Sequence, residues 1–328
     1  MRASSGRGPD RHFSRSAHWP ICLKNETRRR DRGMAIRPDE IGNRLRAYRI
    51  GQGLSAEQVA ERLGVSRAAV YRIEGGEVVK VETLERLAAL LSTTLASLLG
   101  AGVEYYASSI SYFERMRQLE EQCDQVVAHF PPMSYLLTSE NYSAFLRKTL
   151  IEALPSYEAE SCRACSEIEQ IVSILDERKA LRDRRRLSVI NFVALPEIER
   201  WLKIGVVGRF DLPASEVVRR RRVARAEVEH LLGIIEREPM GIQIGIINEI
   251  LPNMAFQLFR VSDRTLVGLS PFRLGGDLPN IKTGVAMVTE DKQPVQLYEN
   301  IANEIWSRAA KGATAASLLR AALERSAI

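Results

Sequence analysis

The stretch Leu54–Gly76, LSAEQVAERLGVSRAAVYRIEGG, decides the reading of this chain. Ser55 and Gln58 stand at capping-box spacing and start a helix whose apolar stripe is Val59 and Leu63. Gly64 supplies the left-handed backbone that ends a helix without a Cβ penalty. Val65 is expected to plug the turn into the core, and Ser66 to cap a second helix. Val70 and Ile73, three apart, face inward on that helix, and Ala60 is small where the two helices cross. Arg67, Ala68, Tyr71 and Arg72 are left on the outer face.

Ala60, Gly64, Val65, Val70 and Ile73, with Arg49 before them and Glu74-Gly75-Gly76 after, resemble the XRE family of repressors. That family carries the lambda-repressor-like, five-helix DNA-binding domain, and the resemblance spans Pro38–Gly100. It implies double-stranded DNA as partner, with the second helix of the motif in the major groove. Arg67 and Arg72 then make bidentate contacts to guanine or clamp phosphate. Ala68 touches a thymine methyl, and Tyr71 bonds a phosphate or stacks on the sugar edge. Ser55, Ala56 and Ser66 lie at helix N-termini facing phosphate. The family usually has Gln where this chain has Ala56, so that contact falls to backbone N–H groups. The resemblance also implies an ion pair between Arg49 and Glu74, and a two-fold homodimer on two half-sites. A solvated face used for protein contacts is the alternative for the same outer residues.

Three more helices complete this unit. Asp39–Ile50 carries Ile41, Leu45 and Tyr48, and Gly51 and Gly53 end it. Thr83–Leu91 and Thr94–Leu99 supply Leu84, Leu87, Leu91, Leu95 and Leu98. Leu87–Val103 is uncharged but short of the roughly 20 residues a bilayer needs, and Ser92-Thr93-Thr94 breaks it.

The net charge of +6 is concentrated in residues 1–33, where nine arginines and lysines meet three acids. This segment has no helical or strand period and is expected to be disordered. It lacks the apolar core of a secretory signal. An Arg-rich arm adding nonspecific DNA affinity is one reading, and a chain start at Met34 is the favoured one. Four cysteines, two of them in Cys162-Arg163-Ala164-Cys165, fit a reducing cytoplasm. The single CxxC in a helical context has no second half of a zinc site. No metal and no cofactor is expected.

Tyr105–Phe130 reads as one amphipathic helix, with Tyr106, Ile110, Phe113, Met116, Leu119, Cys123, Val126 and Phe130 recurring every three or four residues. Residues 102–132 are therefore expected to form a connector and dimer seam between a DNA reader at 34–101 and an effector domain at 133–328. In that domain helices are expected at Tyr142–Leu154, Glu158–Leu187, Leu195–Ile204, Pro213–Glu238, Lys292–Lys311 and Ala313–Ser326. Strands are expected at Gly241–Ile247, Met254–Val261, Thr265–Phe272 and Gly284–Thr289, with turns at Asn253 and Ser262-Asp263. Arg219–Arg222 reads as a solvated face with salt bridges. The fold class is thus multidomain: an all-α DNA reader followed by an α+β or α/β effector domain.

Outside residues 1–33 only His129 and His230 occur, neither beside a nucleophile motif, and no Walker loop or GxGxxG stands in a fitting context. No catalytic residues are assigned, and an enzyme is not expected. The closing segment GVAMVTEDKQPVQLYENIANEIW (Gly284–Trp306) resembles phospholipase-D-like sensor domains of bacterial regulators. The HxK of that fold is absent, since Leu231-Leu232 follow His230, so the resemblance implies ligand sensing without catalysis. Candidate effector-pocket residues are Phe272, Arg273, Lys282, Tyr298 and Trp306, aromatics and isolated cations near the sheet edges. The expected function is a cytoplasmic, sequence-specific transcription regulator that senses a small molecule or a protein. An antitoxin-like interaction module and an enzyme fused to a DNA reader are the alternatives.

Overall fold

Hydroxyl caps fix the starts of three of the first five helices. The computed structural model describes residues 37–155, 161–249, 251, 254–276 and 278–326. The basic tail and the turn expected at Asn253 lie outside the described residues. Helix α1 spans Pro38–Gly51, α2 Ala56–Leu63, α3 Arg67–Glu74, α4 Val81–Leu90 and α5 Leu95–Leu99. The Ser55 hydroxyl accepts from the Gln58 N–H while the Gln58 side chain accepts from the Ser55 N–H. Ser66 and Thr94 cap α3 and α5 in the same way, through the N–H groups of Ala69 and Ser97. Leu45, Val59, Leu63, Val70, Ile73, Leu84, Leu87 and Leu98 close a core between these helices.

The expected connector helix is not one element. Residues 102–132 contain strand β1 (Val103–Tyr106), helix α6 (Ser109–Gln122) and strand β2 (Gln125–His129). Ser108 starts α6 by capping Ser111, and Cys123 already has extended backbone. The apolar recurrence survived this division because a buried helix between a half-buried strand and a buried one also spaces apolar residues closely. Ile110, Phe113, Met116 and Leu119 are all buried within the same chain, as are the polar Arg115, Gln118 and Glu120. The stripe therefore forms core, and no dimer seam is left on it.

The remaining elements are α7 (Tyr142–Glu152), α8 (Cys162–Arg185), β3 (Ser188–Ala194), α9 (Leu195–Ile204), α10 (Ala214–Arg237), β4 (Ile242–Ile247), β5 (Ala255–Val261), β6 (Arg264–Ser270), β7 (Ala286–Thr289), α11 (Lys292–Arg308) and α12 (Gly312–Arg325). The seven strands form one mixed sheet in the order β1-β7-β6-β5-β2-β3-β4. β2, β3 and β4 run parallel, and the other neighbouring pairs are antiparallel. Ser262-Asp263 is the two-residue turn of the β5–β6 hairpin, in which Val261 pairs with Arg264. β3 has no counterpart in the sequence reading. Its run SVINFVA is buried almost throughout, so it lacks the alternation that marks a one-sided strand.

Helices cover both faces of the sheet. Tyr112 and Met116 of α6 sit over Gly268 of β6, while α11 sets Tyr298 against Phe256 and Trp306 against Phe192 on the opposite face. Arg178 of α8 holds Glu120 of α6 through two hydrogen bonds of 2.6 and 2.9 Å. The arginine run on α10 departs from expectation: Arg219 is exposed, but Arg220 is fully buried. It donates to Glu216 at 2.6 Å, to the Val206 carbonyl at 3.0 Å and to Glu152. A helix passing between neighbours turns one of four consecutive residues inward, and this arginine survives there because its donors find acceptors. Residues 36–328 pack as a single compact unit. No helix among the described residues is long and apolar enough to cross a membrane.

Candidate nucleic-acid interface

The outer face of α3 is built from its inner one. Val70 and Ile73 are buried at 3% and 7% relative exposure, which fixes the rotation of the helix and leaves Arg67, Ala68, Tyr71 and Arg72 exposed. Gly64, at φ 71°, makes the turn into this helix in the left-handed conformation the sequence calls for. Gly42 of α1 sets the depth of the packing. A Cβ there would stand 2.3 Å from the Glu74 carbonyl oxygen and 2.7 Å from that of Ile73, so α1 touches the end of α3 backbone to backbone.

Arg49 closes the same contact. Its guanidinium donates to both Glu74 carboxylate oxygens at 2.5 and 3.0 Å and to the Leu54 carbonyl at 3.0 Å. The pair is largely shielded from water, with side-chain exposures of 12% and 9%. It ties α1, the α1–α2 loop and the end of α3 into one piece.

The arginines of α3 are held loosely. Arg67 contacts Glu57 at 2.7 Å and the Tyr71 hydroxyl at 3.1 Å, with its guanidinium 5.3 Å from the Tyr71 ring centre. Arg72 donates to Glu77 at 2.6 Å. Both arginines are 60% exposed, where such pairs are worth about 0–1 kcal/mol and exchange readily for a phosphate or a base edge. Glu57 lies in the first turn of α2, where a backbone N–H and the Ser55 hydroxyl hold its carboxyl below the usual carboxylate range. It stays ionised and keeps Arg67 aimed until an anion competes.

Ala56 and Val65 flank the helix starts of the motif. The Ala56 side chain is buried in the domain core, so this position offers a ligand only its backbone. Val65 does not plug the turn; it is 37% exposed, because its N–H bonds to the Ala60 carbonyl and turns the side chain outward beside Ser66. Glu57 and Glu77, which hold the arginines, were not singled out by sequence. Their distances of ten and five residues from their partners follow no helical spacing.

Residues 40–101 match the family model of a helix-turn-helix domain. They form a helix-turn-helix DNA-binding domain. No curated protein and no solved structure matches the chain.

The helix-turn-helix domain is joined to the sheet by charge. Glu40 and Arg44 of α1 are buried with Glu104 of β1 and Arg115 of α6. Arg115 donates to Glu40 at 2.9 Å and to both Glu104 oxygens at 2.9 and 3.0 Å, while Arg44 reaches Glu104 at 2.5 Å. Arg264 of β6 adds a bond to Glu40 at 2.7 Å, and Tyr106 donates to Glu104 at 2.6 Å. Burial pushes the Glu104 carboxyl upward, but Arg115 and Arg44 pull harder and bring it down to about 2. Tyr48 of α1 stacks on Tyr106 at 4.9 Å.

The expected effector-pocket residues do not converge. Phe272 is fully buried beside Tyr112 on the α6 face of the sheet. Arg273 pairs through its backbone with Asn280, and Lys282 lies exposed in the same loop. Tyr298 and Trp306 stand on α11, across the sheet. Trp306 lines a cleft formed with the ends of α10 and β4. Cys162 and Cys165 occupy the first turn of α8, the former exposed and the latter partly buried.

Proposed function

We propose that this protein is a sequence-specific transcription regulator of the lambda-repressor-like, XRE type. In this reading it is cytoplasmic and acts as a homodimer on double-stranded DNA. The exposed face of α3 carries the proposal: Arg67, Ala68, Tyr71 and Arg72 are presented together on a helix whose inner face, cap and C-terminal clasp are all fixed. Such a helix enters the major groove as a preformed reader. Ser55 and Ser66, at the starts of α2 and α3, face the flanking phosphates. The sheet region acts as a sensor without catalysis, a reading supported by the resemblance of Gly284–Trp306 to phospholipase-D-like sensor domains and by Leu231-Leu232 standing after His230 where that fold has HxK. An effector bound there alters how two α3 helices are spaced across the dimer and so changes operator affinity.

The test is binding of the full chain to DNA from its own upstream region, titrated against salt, with Arg67→Ala and Arg72→Ala alongside. Salt-steep binding that loses sequence preference in either variant supports the proposal. Equal, weak binding to every duplex by all three proteins overturns it and favours a protein-interaction module.

A further inference from the structure

β4 is an edge strand, and only part of its outer edge is covered. Ile246 exchanges both backbone hydrogen bonds with Ala310, at 2.8 and 2.9 Å, in an antiparallel bridge. The chain then leaves the edge, because Gly312 begins α12. Two residues before the bridge, Ile244 points its N–H and C=O to the same outer side by the alternation of a strand. Nothing in the backbone of the described residues pairs with them there.

A cleft of about 420 Å³ opens at this uncovered length of edge. Ile234 and Ile235 of α10, Met240 and Trp306 give it apolar walls, and Met240 is almost wholly exposed. Glu238 and Lys311 stand at its rim. The Lys311 ammonium lies 4.6 Å from the Trp306 ring centre, and neither Lys311 nor Glu238 forms an ion pair among the described residues. Glu238 adopts a left-handed backbone, φ 44°, at the end of α10, and its carboxylate oxygen is 3.3 Å from where a Cβ on Gly312 would stand. One cleft therefore holds a carboxylate, an ammonium, an open strand edge and apolar walls.

We propose that this cleft binds a short apolar peptide by its two ends. The ligand's ammonium pairs with Glu238, its carboxylate with Lys311, its backbone with the edge at Ile244, and its side chains lie against Met240 and Trp306. The volume falls within the range of small-ligand sites. As an effector site the cleft rests on the regulator reading above; as a binding site it stands without DNA.

Calorimetry on the full chain, with no DNA present, tests this using the tripeptide Leu-Leu-Leu up to roughly 10 mM. N-acetylated and C-amidated forms serve as probes of each end. The expected result is saturable binding by the free tripeptide, weakened about tenfold when either end is blocked. Glu238→Gln should be insensitive to acetylation and Lys311→Met insensitive to amidation, each variant itself losing about tenfold. Circular dichroism of both rim variants checks that they fold. Absence of saturable binding, or binding unchanged by blocking the ends or by the variants, overturns the proposal. A failure here leaves operator binding by the same protein intact, and loss of operator binding leaves this heat signal intact.

Discussion

Arg49 and Glu74, separated by a turn and two helices in sequence, meet through a two-pronged hydrogen-bonded pair. The carboxylate belongs to the last residue of α3, so the pair fixes the end of the helix proposed to face DNA. Removing one member leaves the other charge shielded from water with no partner. Arg49→Ala or Glu74→Ala should each destabilise the protein by about 2–4 kcal/mol. The double variant should cost less than the sum of the singles. Denaturant titration of the four proteins measures both quantities.

On the exposed side of α3 the same reasoning gives the opposite balance. Arg67 and Arg72 hold only exposed partners, so Arg67→Ala and Arg72→Ala should change stability by less than about 0.5 kcal/mol. Each should nevertheless cost about 1–3 kcal/mol of operator affinity if it reads a base, or reduce the salt slope by about 1 if it holds a phosphate. Fluorescence anisotropy at several salt concentrations separates the two cases.

Gly42 predicts a steric outcome. A methyl group at this position collides with two carbonyl oxygens of α3, neither of which belongs to a flexible side chain. Gly42→Ala should destabilise by about 1–3 kcal/mol and weaken DNA binding by tilting α3. A variant as stable as the parent would mean that α1 sits farther from α3.

Glu104 gives the protein an acid limb. Its carboxyl ionises at about 2 in the folded chain, against 4.5 for an ordinary glutamate. Its folded value is depressed, so the stability it contributes is fully present above pH 4.5 and is lost as pH falls toward 2. Glu40, buried in the same cluster, is also held below its ordinary value: burial raises it, and Arg115, Arg264 and Arg44 more than reverse that. Thermal melts between pH 6 and pH 2 should fall most steeply in this window. Glu104→Gln should start from lower stability and show a shallower acid decline.

The first five helices were legible because their signals are local. A hydroxyl cap, a left-handed glycine and a three- or four-residue apolar spacing all lie within one helix length, and the boundaries of α2 and α3 follow from Ser55, Gly64 and Ser66 alone. The β5–β6 hairpin was legible for the same reason, through Ser262-Asp263. Two of the sheet's buried members, β2 and β3, were not. They are covered on both faces, and that removes the period by which a strand is recognised. The same limit applied to α6, whose Arg115 and Glu120 look like a solvated face until β1 and α1 are seen to supply the counterions of the first and α8 that of the second. At the candidate interface, the exposed arginines could be read from the inward pair Val70 and Ile73. Their acidic partners could not, since only the turn geometry brings Glu57 and Glu77 near. The cleft beside β4 was legible only in Trp306, because its walls come from the ends of three distant elements.

The charged cluster around Glu104 also bears on inheritance. A helix-turn-helix unit that hangs on a linker can be traded between proteins by recombination near the joint. Here α1 belongs to two cores at once: Leu45 and Ile41 serve the DNA reader, while Glu40, Arg44 and Tyr48 are completed by residues from β1, α6 and β6. A chimera cut after Ala101 would carry Glu40 and Arg44 away from Arg115, Arg264 and Glu104, and leave Arg115 with Glu104 as its one remaining partner in the cluster. Reader and sheet are therefore exchanged at least cost together, and on the proposed function a change of operator comes by substitution on α3.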